Sequence, residues 1–351
     1  MILGKIDLKL FLPALFLTTL GSFVLASVQP AAYPQQLFYL LLAFFAFWFA
    51  ATVDIRVIRA LSPYLYTLAI VLLLITFLFG AFSRGSVRWI DLKIFTLQTS
   101  EVAKPLLMLF FAWILARNTK PTRFFWVGIA MLPAIFLIFR QPDLGSALVV
   151  FAGFLGIVFI GGIPWKYLLI ALSICVIISP MGWNFLADYQ KERLFSHLNP
   201  GVDPLGSGYN SIQAMIAIGS GGIFGRGLGQ GTQSQLSFLP ERHTDFIFSA
   251  IGEELGFVGV GLVIIAFGFL LGRIIYLMGS VKDLYSKTYL GGIFAVLFSQ
   301  MAINIGMNMG VLPITGIPLP FVSSGGSSLI ALSFGLGIVS SISAGEGKDY
   351  V

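Results

Sequence analysis

Phe246-Ile-Phe-Ser-Ala-Ile-Gly-Glu-Glu-Leu-Gly-Phe-Val-Gly-Val-Gly-Leu-Val-Ile-Ile-Ala-Phe-Gly-Phe-Leu-Leu-Gly272 decides the fold class. After Glu254 no charge occurs until Arg273, and the apolar character continues to Tyr276. A helix needs about 20 apolar residues to cross the hydrocarbon of a bilayer. Residues 246–276 exceed that, so this helix is expected to tilt or to project beyond the bilayer. Nine further apolar runs lie at 8–28, 36–53, 64–82, 100–117, 124–139, 144–162, 166–182, 288–311 and 325–344. The pattern predicts an all-α polytopic integral membrane protein with ten transmembrane helices, residues 1–351 forming a single transmembrane domain.

Composition agrees. Of the 351 residues, 57% are hydrophobic and only 10% charged, with a mean hydropathy of +0.93. A soluble domain carries about 25% charged residues. The net charge of +6 does not point to nucleic acid, because the basic residues sit mostly in short connections between apolar runs. With the N-terminus in the cytoplasm, twelve Lys and Arg fall on the inner side: Lys5, Lys9, Arg56, Arg59, Arg117, Lys120, Arg123, Lys166, Arg273, Lys282, Lys287 and Lys348. Only Arg84, Arg88, Lys93 and Arg140 fall in the short outer loops. The positive-inside rule therefore predicts that both termini are cytoplasmic. The first run reads as a span, not a removed signal. Cys175 is the only cysteine, which excludes a disulfide within the chain.

The same orientation places a large extracytoplasmic loop, about 183–245, between helices 7 and 8. Its aromatic residues and the apolar stretch 212–218 predict partial order. Its glycine-rich part, Gly221–Gly231, has neither the lysine pattern nor the preceding strand of a nucleotide loop.

Five groups are candidates for chemistry. Asp245, in His243-Thr244-Asp245-Phe246, stands where water meets the bilayer. Two readings stay open: Thr244 caps the eighth helix with Asp245 in its first turn, or Asp245 is a general base for a membrane-held substrate. Glu101 and Lys104, three residues apart in an apolar run, share a helix face. They form a structural ion pair, or Lys104 reaches an anionic substrate group. Asp143, after Pro142, reads as a helix cap. Arg84, Arg88, Trp89 and Lys93 suit an interfacial anchor and equally a diphosphate headgroup. The segment 313–328, with three prolines and three glycines, breaks helical structure between two spans, and the N–H groups of Ser323–Ser327, including Ser324, are a candidate anion nest. His197 and His243 are the only histidines, and no metal-ligand spacing occurs.

Taken in order, several motifs resemble those of the SEDS proteins (shape, elongation, division and sporulation). They are Arg88-Trp89, Ser100-Glu-Val-Ala-Lys104, Gln141-Pro-Asp-Leu-Gly145, Ala217-Ile-Gly-Ser-Gly-Gly222, Leu239-Pro-Glu-Arg-His-Thr-Asp-Phe-Ile-Phe248, Gly252-Glu-Glu-Leu-Gly256 and Gly316-Ile-Pro-Leu-Pro-Phe-Val-Ser-Ser-Gly-Gly326. Arg242 before the histidine resembles the elongation branch more than the division branch. The resemblance implies a peptidoglycan glycosyltransferase that polymerises lipid II at the outer face of the cytoplasmic membrane beside a class B penicillin-binding protein. It implies that the family's essential aspartate falls on Asp245 and its acid–lysine pair on Glu101 and Lys104. It further implies an inverting displacement, with Arg88, Lys104, Arg242 or a divalent cation (Mg or Mn) offsetting diphosphate charge. Two rival functions use the same features. A lipid II flippase would use the cavity and broken helices, but the chain lacks matching halves. A non-catalytic scaffold for the crosslinking partner would not need the acid at 245.

Overall fold

The computed structural model describes residues 6–83, 86–91, 96–117, 120–164, 208–236 and 238–346, with a few isolated positions between 166 and 195. The long helices are α1 (Leu8–Val28), α2 (Tyr33–Thr52), α3 (Ile55–Phe79), α4 (Thr99–Arg117), α5 (Arg123–Arg140) and α6 (Leu144–Ile160). After α7 (Tyr209–Ser220) and the short α8 (Thr232–Gln235) come α9 (Ile247–Ser280), α10 (Leu284–Asn308) and α11 (Gly326–Glu346). Eight of these are long and apolar enough to cross a membrane; α6, with 17 residues, is shorter. The seventh expected span and the first part of the large loop lie almost wholly outside the described residues.

Helix starts follow from side-chain chemistry. Asp7, Asp54, Asp143 and Asp283 cap α1, α3, α6 and α10, each carboxylate accepting a first-turn backbone N–H. Asp54 lets α3 begin nine residues before the apolar run does, so its first turns are amphipathic.

α4 is the hub. It packs against α3, α5, α6, α10 and α11. It and α11 are the most enclosed of the spans. Small residues set the close approaches: a Cβ on Gly156 of α6 would stand 2.5 Å from the Gly291 carbonyl oxygen of α10. The start of α1 and the end of α11 share one end of the bundle, where Arg273 Nε and Nη2 donate to the Asp7 carboxylate at 2.9 and 2.7 Å. Ser343 Oγ donates to the same oxygen at 2.7 Å.

Two features depart from the expected plan. The stretch between α3 and α4, where only helices were expected, holds β1 (Ala81–Ser83), β2 (Ser86–Asp91) and β3 (Thr96–Gln98) in one antiparallel sheet of order β1-β2-β3. Trp89 pairs with Ala81 on one side and Gln98 on the other. Val87, Trp89 and Ile90 favour strands, but six residues give too short a run to read as one. The second departure is in α9, which breaks at Gly256 (φ 66°, ψ −161°). The glycine-rich stretch enters the break. Arg226 and Gly227 N–H groups bond the carbonyls of Glu253 and Glu254 at 2.9 and 3.0 Å, while Phe257 and Val258 donate to the carbonyls of Gly222 and Ile223. The Glu253 and Glu254 carbonyls and the Phe257 and Val258 N–H groups, which the kink separates, thus find partners, as a break near lipid requires. The portion beyond it, 257–280, is about 36 Å long at 1.5 Å per residue, enough to span. The excess length expected of this helix is therefore a separate segment that precedes the break.

Candidate active site

The site lies at the end of the bundle opposite Asp7 and Arg273. Its centre is a turn, 241–246, leading into α9. Glu241 adopts φ 52°, and its carbonyl accepts the N–H groups of Thr244, Asp245 and Phe246 at 3.1, 3.1 and 3.2 Å. A left-handed conformation at a non-glycine residue is uncommon and clusters at functional sites. Thr244 does not cap α9, contrary to one reading of the sequence: the N-cap position is Phe246 and no side chain caps it. The Thr244 hydroxyl bonds the Glu241 carbonyl and carboxylate instead.

Asp245 is half-buried. Its carboxylate faces Gly316, where a Cβ would stand 3.4 Å from Oδ2. The backbone around it is held by the broken segment and by α10. The His243 carbonyl accepts the Ser324 N–H at 2.9 Å. The Thr244 carbonyl accepts the Ser323 hydroxyl at 2.6 Å. The Asp245 carbonyl accepts the amides of Asn304 and Asn308, both at 3.0 Å. Ser323 N–H and Ser324 N–H are thus spent on protein carbonyls, so the expected five-residue anion nest does not form; the first-turn N–H groups of α11 begin only at Gly326.

The sheet closes another side. Ser327 Oγ accepts the Gln98 N–H and donates to the Thr96 carbonyl, joining β3 to the start of α11. Arg88, half-buried on β2, donates through Nε to the Gln141 carbonyl at 3.3 Å and through Nη2 to the Pro142 carbonyl. Trp89 beside it is half-buried. Asp143 caps α6 and also accepts from Ser100 Oγ at 3.1 Å and Gln98 Nε2 at 3.3 Å. Arg242 bonds the Val28 carbonyl and the Gln29 side chain at the end of α1.

Glu101 and Lys104 sit deeper, in α4. Nζ lies 2.5 Å from Oε1, and the side chains are 1% and 0% exposed. Gln300 of α10 donates to the other oxygen at 3.3 Å. Lys104 is therefore sealed from the outer surface in this arrangement.

Reading the sequence missed Asn304, Asn308 and Gln300, and gave no role to Glu253 and Glu254. The signal for the α10 amides was present, because a polar residue within an apolar span is expensive and needs a purpose. Glu253 and Glu254 are fully buried. Glu253 accepts the N–H groups of Gln233 and Ser234, capping α8, and Glu254 accepts from Ser27, Gly229 and Gln235. They hold the glycine-rich stretch to α1 and α9. Among the described residues no group of three or more His, Cys, Asp or Glu stands together.

Comparison with known proteins places this arrangement. The chain matches the cell cycle protein family over residues 5–348. It is 42% identical over 297 residues to the peptidoglycan glycosyltransferase MrdB of Escherichia coli (strain K12), covering 83% of this chain and 80% of that protein. Its fold is similar to a chain in a structure that describes the coordination of polymerisation and crosslinking by a peptidoglycan synthase complex. There the TM-score is 0.84 at 34% identity, covering 97% of this chain and 98% of that one. It is also similar to the rod shape determining protein RodA of Thermus thermophilus, with a TM-score of 0.73, 30% identity and 96% of both chains covered.

Proposed function

Because the chain belongs to the cell cycle protein family that takes in FtsW, RodA and SpoVE, we propose that it polymerises lipid II with Asp245 as the proton acceptor. The protein is a multi-pass bacterial membrane protein and a peptidoglycan glycosyltransferase of the kind that supports rod shape. Its partner is a crosslinking enzyme, a class B penicillin-binding protein, with which it forms a synthase complex. Relatives named as glycosyltransferases favour this reading over a flippase or a scaffold.

One observation carries the assignment of the base: the Asp245 carboxylate is half-buried, at one end of the bundle, on a turn whose three successive carbonyls are all tied down. In this reading the termini are cytoplasmic and the turn faces outward, following the lysine and arginine distribution. The acceptor 4-hydroxyl oxygen bonds to the anomeric carbon of the donor sugar. The bond from that carbon to the diphosphate oxygen breaks, and the diphosphate leaves with the electron pair. The proton passes to Asp245. A single displacement inverts an α-linked donor to a β-1,4 bond. Arg88 and Arg242, although bonded to the protein, keep their charge at this end and offset that of the diphosphate. Trp89 and Ser324, both half-buried here, are assigned to the headgroup. Lys104 supports the fold through Glu101. A divalent cation (Mg or Mn), where one takes part, would be held chiefly by the diphosphate of the substrate.

The test is polymerisation of lipid II by the purified protein, alone and with a crosslinking-inactive partner, beside Asp245→Asn. Strands from the parent and none from a folded variant that still binds its partner support the assignment. Equal strands from both transfer the base to another residue.

A further inference from the structure

Asn308 occupies an unusual place in the backbone of α9. In a continuous helix the N–H of Ser249 would bond to the carbonyl of Asp245, four residues back. Instead that N–H donates to Asn308 Oδ1 at 3.1 Å. Asn308 Nδ2 donates to the Asp245 carbonyl at 3.0 Å. One side-chain amide is thus inserted between the two ends of a would-be helical hydrogen bond. The Ser249 hydroxyl donates to the same Oδ1 at 2.6 Å and fixes the amide's orientation. The second N–H of Asn308 goes to the Asn304 carbonyl at 2.8 Å. Asn304 takes the other lone pair of the Asp245 carbonyl and lashes it to the Ile317 carbonyl, with bonds of 3.0 and 2.8 Å. Both amides are fully buried.

We propose that Asn308, with Asn304, is a positioning residue for the polymerase reaction: its amide stops α9 short of Asp245 and so fixes the direction of the carboxylate. The inference rests on Asp245 as the proton acceptor. Without the Asn308 amide, the Ser249 N–H and the Asp245 carbonyl are free to bond directly. The helix then extends backwards and Asp245 turns with it, away from Gly316. Asn304 holds the same carbonyl against the segment that contains Gly316, so the two amides set the carboxylate's position in two directions.

This arrangement separates positioning from mere support. Removing a buried donor normally leaves an orphan. Here the two main-chain groups released by Asn308→Ala, the Ser249 N–H and the Asp245 carbonyl, satisfy each other, so the fold persists while the carboxylate moves. A displacement on the order of 1 Å costs about 100-fold in rate. The experiment measures kcat and KM for lipid II, with the unfolding midpoint, in Asn308→Ala and Asn304→Leu. Tyr285→Phe is the control, since it breaks a buried hydrogen bond to Ser62 among residues far from Asp245 in the opposite end of the bundle. The expected result is a fall in kcat of about 10- to 100-fold in both Asn variants, with KM changed less than about twofold. Tyr285→Phe should leave kcat unchanged. Parental kcat in whichever Asn variant folds overturns the proposal, as does a fall in kcat that merely tracks the midpoint in all three proteins. If neither of these folds, Asn308→Asp, which keeps the acceptor for Ser249 and loses the donors, takes their place under the same criterion. Asp245→Asn in parallel separates the failures: activity there removes the base assignment, whereas a dead Asp245→Asn beside fully active Asn variants removes only the positioning role.

Discussion

Neutralising one member of the Glu101–Lys104 pair should harm this protein more than neutralising both. The pair is 2.5 Å apart, and neither side chain is more than 1% exposed. Breaking a pair so buried costs about 3–5 kcal/mol, because the remaining charge is left in a medium that cannot solvate it. At about 1.4 kcal/mol per decade, that is roughly a 100- to 4000-fold change in the folding equilibrium. Lys104→Met leaves the Glu101 carboxylate with the neutral Gln300 amide at 3.3 Å. Glu101→Gln leaves the Lys104 ammonium facing a neutral amide. Glu101→Gln with Lys104→Met removes both charges and keeps a polar group for Gln300, so its loss should be smaller than that of either single variant. The assay is SDS titration of purified protein in mixed micelles, followed by tryptophan fluorescence, for the parent and three variants. The double-mutant cycle should give a coupling of about 3 kcal/mol or more. A double variant as destabilised as the sum of the two single ones would refute the ion-pair account, and would mean that each group answers to other partners.

Two further substitutions test the end of the bundle that carries Asp245. Gly256→Ala puts a Cβ 2.2 Å from the Gly225 nitrogen and 2.6 Å from the Ile223 oxygen, both backbone atoms that cannot yield; the glycine-rich stretch must leave the break, and several net hydrogen bonds of about 1 kcal/mol each go with it. Faster proteolysis within 221–231 than in the parent is the expected reading, and an unchanged digest would contradict it. Gly316→Ala meets only ordinary contact, 3.4 Å from Asp245 Oδ2, but at φ 73°. The backbone strain of about 1–2 kcal/mol should shift the segment beside the carboxylate and lower glycan yield at saturating lipid II; parental yield would show that this segment does not bear on the reacting group.

The spans and the candidate acid were legible because each is a local property. Apolar length marks a helix that crosses a bilayer whatever packs beside it, and 247–280, 284–308 and 326–346 stand close to the runs that announced them. The cap at Asp143 and the contact between Glu101 and Lys104 follow from spacings of three residues. The sheet at 81–98 was not legible, since its strands are only three to six residues long and borrow stability from the helices around them. The break at Gly256 was hidden for a different reason. A glycine inside an apolar run is compatible with an unbroken helix, and only the stretch 221–227, some thirty residues away along the chain, supplies the groups that make a break tolerable.

The same limit applies at the active site. Sequence alone determined that an acid stands beside a long span and that polar groups recur in apolar surroundings. Which way that acid points was decided by tertiary structure: Asn304 and Asn308 bond a residue about sixty positions earlier, and Ser323 and Ser324 one about eighty positions earlier. Hydrogen bonds depend on distance and direction in space, and separation along the chain carries neither.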